Sequence, residues 1–137
     1  RDCLLSRGLG DVYKRQVVHG AGTDEIAVHG DTLVWELKDG EISHYTVAPA
    51  ELGVDKHTLE ALRGGDGEES AAAMRATFAG EGPAAHRDAV AVNAGAMFYL
   101  YGMADSLAEG TAHAKQLLAD GSVSQWLRTH EEADYSG

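Results

Sequence analysis

The spacing of apolar and polar residues changes once along this chain, and the change divides it. Residues 16–19, QVVH, are an apolar run that stops at Gly20 and reads as a short buried strand. In TLVWEL, residues 32–37, Leu33, Trp35 and Leu37 point one way and Val34 and Glu36 the other, the period of a half-buried strand. Asp39-Gly40 is a two-residue hairpin turn, and ISHYTV, residues 42–47, is the returning strand.

Beyond residue 50 the period becomes helical. Thr58 can cap a short helix that stops at Gly64-Gly65. Asp66 or a neighbour opens a second, EESAAAMRATFA, ending at Gly80. Pro83 suits the first turn of a long apolar helix running to about Tyr101, with Gly102 at its end. Ser106 with Glu109 forms a capping box for a helix carrying Leu107, Ala114, Leu117 and Leu118, closed by Gly121. Ser122 with Gln125 predicts one more short helix through Trp126, Leu127 and His130, and the polar tail EEADYSG is expected to fray. The pattern is a strand, an acidic loop, a hairpin and about five helices, with no internal repeat, in the α/β class. A fully buried first strand belongs in a parallel sheet, whose other strands this chain does not supply. The expectation is a truncated sheet with the rest upstream.

At 137 residues the chain can form one domain with a real core, and 44% hydrophobic content is ordinary for a globular protein. No apolar run approaches the roughly 20 residues of a membrane span, and no secretory signal is present. The net charge of −11 argues against binding nucleic acid through its phosphates and against an anionic membrane surface. Residues 1–16, RDCLLSRGLGDVYKRQ, stand apart: they carry four of the eleven basic residues and the only cysteine, Cys3. They resemble translated adapter at the ends of environmental sequence reads and read as a non-native leader; a flexible basic arm is the alternative. Residues 17–137 then have no thiol, which fits a reducing cytoplasm.

The candidate chemistry centres on VVHGAGTDEIAVHG, residues 17–30, where Asp24 and Glu25 lie side by side after the first strand. Adjacent carboxylates repel unless a cation or solvent compensates. Open α/β sheets place ligands on loops at the ends of their strands. Magnesium suits such a pair, because it takes one or two carboxylates and completes its shell with water and phosphate oxygens. On spacing alone a solvated turn is the better explanation of the pair, because an acid pair on a loop is a weak motif. GAGTDE lacks the third glycine of a dinucleotide fingerprint, since Glu25 stands in its place. His19, His29 and His44 make a transition-metal site conceivable, but without an H-E-x-x-H or H-x-x-E-H spacing. The glycine pair before Asp66 reads as a turn with a helix cap, and MFYLYGM, residues 97–103, as core packing. No nucleophile elbow occurs.

Taken together, VVHGAGTDEI, VWEL, DGEISHYTVAPAELGV, LEALRGGDGEESAAAMRATFAGEGP, HRDAVAVNAGAMFYLYGMADSLAEG and LLADGSVSQWL resemble the C-terminal part of the anthranilate phosphoribosyltransferase family. The resemblance covers nearly all of residues 17–137. It implies a nucleoside-phosphorylase-like fold, a small helical domain plus a larger α/β domain, of which residues 17–137 would be the C-terminal portion. The implied activity is transfer of the phosphoribosyl group from phosphoribosyl pyrophosphate to anthranilate, releasing pyrophosphate, in tryptophan biosynthesis. The family's acidic pair, usually within G-L-D-E, is a magnesium site, and Asp24 and Glu25 match it. Thr23 stands where the family has Leu. The resemblance therefore implies Mg2+ as cofactor.

The family's G-T-G-G-D loop, its K-H-G-N segment and its anthranilate-contacting arginine would all lie upstream, as would the helices of its homodimer. No catalytic residue is assigned within this chain. The expectation is a C-terminal fragment, inactive alone and unstable because its sheet lacks partners. Two other readings remain: a related phosphoribosyltransferase or nucleoside phosphorylase with another acceptor, and a non-catalytic interaction module.

Overall fold

The computed structural model describes residues 3–6 and 14–131. Four strands, β1 (Cys3–Ser6), β2 (Arg15–Gly20), β3 (Thr32–Lys38) and β4 (Glu41–Val47), form one sheet in the order β1-β2-β3-β4. Four α-helices follow: α1 (Gly67–Phe78), α2 (Ala84–Leu100), α3 (Leu107–Ala119) and α4 (Ser122–Glu131). Single 3-10 turns at Pro49–Leu52 and Glu60–Leu62 join sheet to helices. The architecture is mixed α/β.

The parallel setting expected for the first strand does not form. β2 pairs antiparallel with both β1 and β3, and its burial alternates. Gln16, Val18 and Gly20 are buried, while Val17 and His19 are only partly so. Val17 hides this period from a sequence reading, because it is an apolar side chain on the more open face. In β3 the buried face belongs to Thr32, Val34 and Glu36, and Trp35 is 40% exposed. The hairpin is as expected: Asp39 (φ 51°) and Gly40 (φ 80°) both take positive φ, as a tight two-residue turn requires.

The core lies between the inner sheet face and α2. Val18, Val34 and Val47 meet Val92, Ala96, Tyr99 and Leu100, with Ile26 and Val28 from the loop after β2. The helices begin largely where expected. Asp66 accepts hydrogen bonds from the Glu68 and Glu69 amides, and Glu69 reaches back to the Asp66 amide, completing a capping box on α1. On α3 Ser106 caps the Glu109 amide, but the Glu109 carboxylate receives the Asp105 amide, one residue earlier than the motif predicts. The helix expected after Thr58 is only one 3-10 turn, although Thr58 Oγ1 does accept the Ala61 amide at 3.2 Å. α2 and α3 cross at Gly95 and Gly110, where a Cβ on either would collide with the backbone of the other helix. The expected fraying of the tail concerns residues 132–137, outside the described residues.

Candidate functional site

The acidic pair sits on a loop that is tied down on both sides. Just before it, the Gly20 and Thr23 backbones exchange hydrogen bonds of 3.1 and 2.8 Å, and Thr23 Oγ1 donates to the Gly20 carbonyl at 2.7 Å. The turn between them needs positive φ at Ala21 (46°) and Gly22 (96°). Gly20 has a steric role as well: a Cβ there would run into the Glu25 carbonyl oxygen and the Ala27 nitrogen. Directly after the pair, Asn93 of α2 clamps Ile26. Its Oδ1 accepts the Ile26 amide and its Nδ2 donates to the Ile26 carbonyl, each at 3.0 Å. Nδ2 also donates to the Ala89 carbonyl of its own helix at 2.9 Å, which orients the amide. Further on, Thr32 Oγ1 accepts the Ala27 amide and the Val28 carbonyl accepts the His57 amide.

The backbone on either side of Asp24 and Glu25 is thus held, while both carboxylates are exposed. Neither has a hydrogen-bond or ion-pair partner among the described residues. They line a cavity of about 450 Å³. The loop from Thr23 to His29 forms one wall, and α1 and α2 supply the other through Ala73, Met74, Thr77, His86 and Val90. Leu59, Leu62 and Gly64 add to the lining, as do Ser70 and Ala89, and the whole is largely apolar and contains no Lys or Arg among the described residues.

That lining decides what the site can do. Phosphate oxygens will not approach two carboxylates without a cation between them. No Lys or Arg among the described residues lines this cavity, so within these residues a bound ion is what could bridge a phosphate to the pair. Two carboxylates with free oxygens fit magnesium, a hard ion that accepts a few protein oxygens and keeps water or phosphate for the rest. The pair cannot complete a shell alone. Among the described residues no group of three His, Cys, Asp or Glu is placed to hold a metal.

The three histidines near the pair in sequence are not brought together. His29 lines the cavity, with Nε2 3.2 Å from the Ala21 carbonyl. His19 and His44 lie on the outer sheet face, opposite Leu33 and Trp35 respectively. A separate histidine, His57, meets buried Asp88 at 2.8 Å, and Lys115 stands 3.5 Å from the other Asp88 oxygen. This group ties the loop before Thr58 to α2 and α3, and is structural.

The residue that sequence reading misses is Asn93. Its signal is a lone amide inside the apolar run AVAVNAGAMFYL. A part-buried polar side chain beside the buried stripe of a helix needs a partner, but the sequence does not say that the partner is the backbone beside Glu25.

Comparison with known proteins agrees with this architecture. Residues 9–124 match the family described as "Glycosyl transferase family, a/b domain". The anthranilate phosphoribosyltransferase of Corynebacterium efficiens is 69% identical over 122 residues, 88% of this chain and 36% of the relative. The crystal structure of the Thermus thermophilus anthranilate phosphoribosyltransferase superposes with a TM-score of 0.73 at 43% identity, over 84% of this chain and 34% of that one. The Saccharomyces cerevisiae enzyme in complex with PRPP and Mg shares the fold, with a TM-score of 0.65 at 20% identity over 82% of this chain and 33% of that one. The chain thus spans about a third of the length of the relatives it matches. Over most of its own length, this chain belongs to the glycosyl transferase family, a/b domain.

Proposed function

We propose that this chain carries the magnesium-binding carboxylates of an anthranilate phosphoribosyltransferase. The reaction moves the phosphoribosyl group of phosphoribosyl pyrophosphate to the amine of anthranilate and releases pyrophosphate, as a step of tryptophan biosynthesis. Residues 17–137 are read as the C-terminal portion of the α/β domain, and the remaining substrate contacts are supplied by the portion of the relatives that this chain does not match.

One observation carries the reading: Asp24 and Glu25 are exposed, with no partner among the described residues, on a loop whose backbone is fixed at Gly20–Thr23 and at Ile26. Fixing the backbone aims the carboxylates before any ion arrives, so less ordering remains to be done on binding. The chain's own contribution is therefore positional. Asp24 and Glu25 hold the ion, Asn93 and Gly20 hold the loop, and the cavity beside it is open to a substrate. Bound there, magnesium supplies a positive charge against the negative charge that develops on departing pyrophosphate. The relatives' names support the substrates, and the yeast structure, alike in fold, contains both PRPP and Mg.

The test is a chimera in which residues 17–137 replace the matched stretch of the Corynebacterium efficiens relative. It should form phosphoribosyl anthranilate in the presence of magnesium. Asp24→Asn with Glu25→Gln should lower kcat/KM at least a hundredfold while the chimera stays folded. A folded chimera that makes no product, or a double variant as active as its parent, would overturn the reading.

A further inference from the structure

Three aspartates in this chain stand directly before glycine, in Asp39-Gly40, Asp66-Gly67 and Asp120-Gly121. All three are exposed, so access to water does not separate them. The occupation of their carboxylates does. Asp66 caps α1, and its Oδ1 accepts the Glu68 and Glu69 amides, each at 3.0 Å. Asp120 follows α3, and its Oδ1 accepts both the Ser122 hydroxyl and, at 2.9 Å, the Ser122 amide. Those two bonds hold the Asp120 carboxyl below its ordinary pKa. Among the described residues no hydrogen bond or ion pair reaches the carboxylate of Asp39. Asp39 also stands at φ 51°, in the left-handed region that residues with a side chain seldom enter. It forms the tip of the β3-β4 hairpin with Gly40, beyond the last strand pair, Lys38 with Glu41.

We propose that Asp39-Gly40 is a site of spontaneous aspartate isomerisation, and that the fold protects the other two Asp-Gly pairs from the same reaction. The Gly40 amide nitrogen attacks the side-chain carboxyl carbon of Asp39. A nitrogen–carbon bond closes a five-membered succinimide, the carbon–hydroxyl bond breaks, and the amide proton leaves with that hydroxyl as water. A second water then opens the ring. Attack at the side-chain carbonyl restores aspartate, and attack at the main-chain carbonyl leaves isoaspartate, with the chain running through the side-chain carbon. The net composition is unchanged, and no oxidant, reductant or cofactor enters. Glycine after the aspartate leaves the attacking amide unhindered and its backbone mobile. The carboxyl must still turn towards that amide. At Asp66 and Asp120 turning breaks two hydrogen bonds, and at Asp39 it breaks none. The backbone must swing as well, and a hairpin tip opens locally without unfolding the sheet behind it. The product puts an extra main-chain carbon between β3 and β4, in a turn built for two ordinary residues.

The isomerisation needs neither metal nor substrate, so it stands apart from the transferase reading and its test omits both. The folded 137-residue chain is held at neutral pH for several weeks. Isoaspartate at each Asp-Gly pair is then scored by peptide mapping, with a protein isoaspartyl methyltransferase and labelled S-adenosylmethionine as the probe. Asp39 should carry at least five times as much isoaspartate as Asp66 or Asp120. In guanidinium chloride, where the caps and the hairpin are lost, the three should agree within a factor of two. Asp39→Glu should remove most of the methyl label from the folded chain, because the larger ring it would need closes far more slowly. Equal isomerisation of the three pairs in the folded chain overturns the proposal. So does an unchanged preference for Asp39 in denaturant, which assigns the selectivity to neighbouring residues and not to the fold. A folded Asp39→Glu chain that keeps its label overturns it too.

Discussion

Two sets of carboxylates lie at opposite ends of the sheet region, and their surroundings differ in almost every respect. Glu36, on the inner face of β3, is 7% exposed and surrounded by donors. Gln16 Nε2 donates to its Oε2 at 2.6 Å, Tyr45 OH to the same oxygen at 3.4 Å, and Tyr99 OH to Oε1 at 2.9 Å. Burial and the neighbouring Glu36 charge push the Tyr45 hydroxyl well above its ordinary pKa. Burial and the hydrogen bond to Glu36 push Tyr99 up to about 12. Both therefore stay protonated as donors at neutral pH. Lys14 sits 4.4 Å from the centre of the Tyr99 ring, a further positive charge beside the group. Asp24 and Glu25 have none of this: no group among the described residues meets their oxygens, and only the backbone around them is held. A carboxylate whose acceptors are all used by the protein is structural. One whose backbone is fixed but whose oxygens are free is available to a ligand.

The sharpest way to break this contrast is at Glu36. Glu36→Ala removes the acceptor shared by three donors and opens a gap beside α2. It should destabilise the chain by about 3 kcal/mol, the range for stranding buried polar groups, read as a lower urea midpoint at unchanged slope. A loss below about 1 kcal/mol would mean that the three donors find water, and that Glu36 is as free as the loop pair.

Asn93 tests the other half. Asn93→Ala removes both hydrogen bonds to Ile26 and should lower stability by about 1–2 kcal/mol. The effect should be local: hydrogen exchange at the Ile26 amide should accelerate far more than at Val34 in the sheet. In the chimera with the Corynebacterium efficiens relative, the same change should weaken magnesium binding although Asn93 carries no charge. Uniform acceleration across the sheet would show that the clamp supports the core rather than the loop.

Much of this was legible in the sequence, for physical reasons that differ between regions. The hairpin was readable because Asp39-Gly40 is one of the few dipeptides that accept positive φ at both positions. The starts of α1 and α3 were readable because Asp66 and Ser106 cap through bonds only two or three residues long. Long-range features were not. The alternation of β3 defined two faces without saying which one meets α2. The core took Val34 and Glu36, leaving Trp35 outside, because Gln16, Tyr45 and Tyr99 converge on Glu36 from β2, β4 and α2. The antiparallel setting of β2 was hidden by Val17, and the clamp on the acidic loop spans 67 positions in sequence. At Asp24-Glu25 the sequence showed which residues are present, and only the fold shows that no group among the described residues neutralises them.

The smallest expected effect is the most telling. Asp24→Asn with Glu25→Gln touches no hydrogen bond among the described residues, so it should leave stability within about 0.5 kcal/mol of the parent, the usual range for a surface substitution. Any shift should be upward, because two adjacent negative charges repel. Adding magnesium should separate the two proteins. The parent should gain thermal stability in proportion to its occupancy by the ion, since a ligand that binds only the folded state stabilises it, and the double variant should gain nothing. Because two carboxylates supply only part of a magnesium shell, the gain in this chain should be small and should need millimolar metal. It should grow in the chimera when phosphoribosyl pyrophosphate is added. Equal gains in parent and variant would place the ion elsewhere. A double variant that loses several kcal/mol would show that the pair belongs to the structure, as Glu36 does.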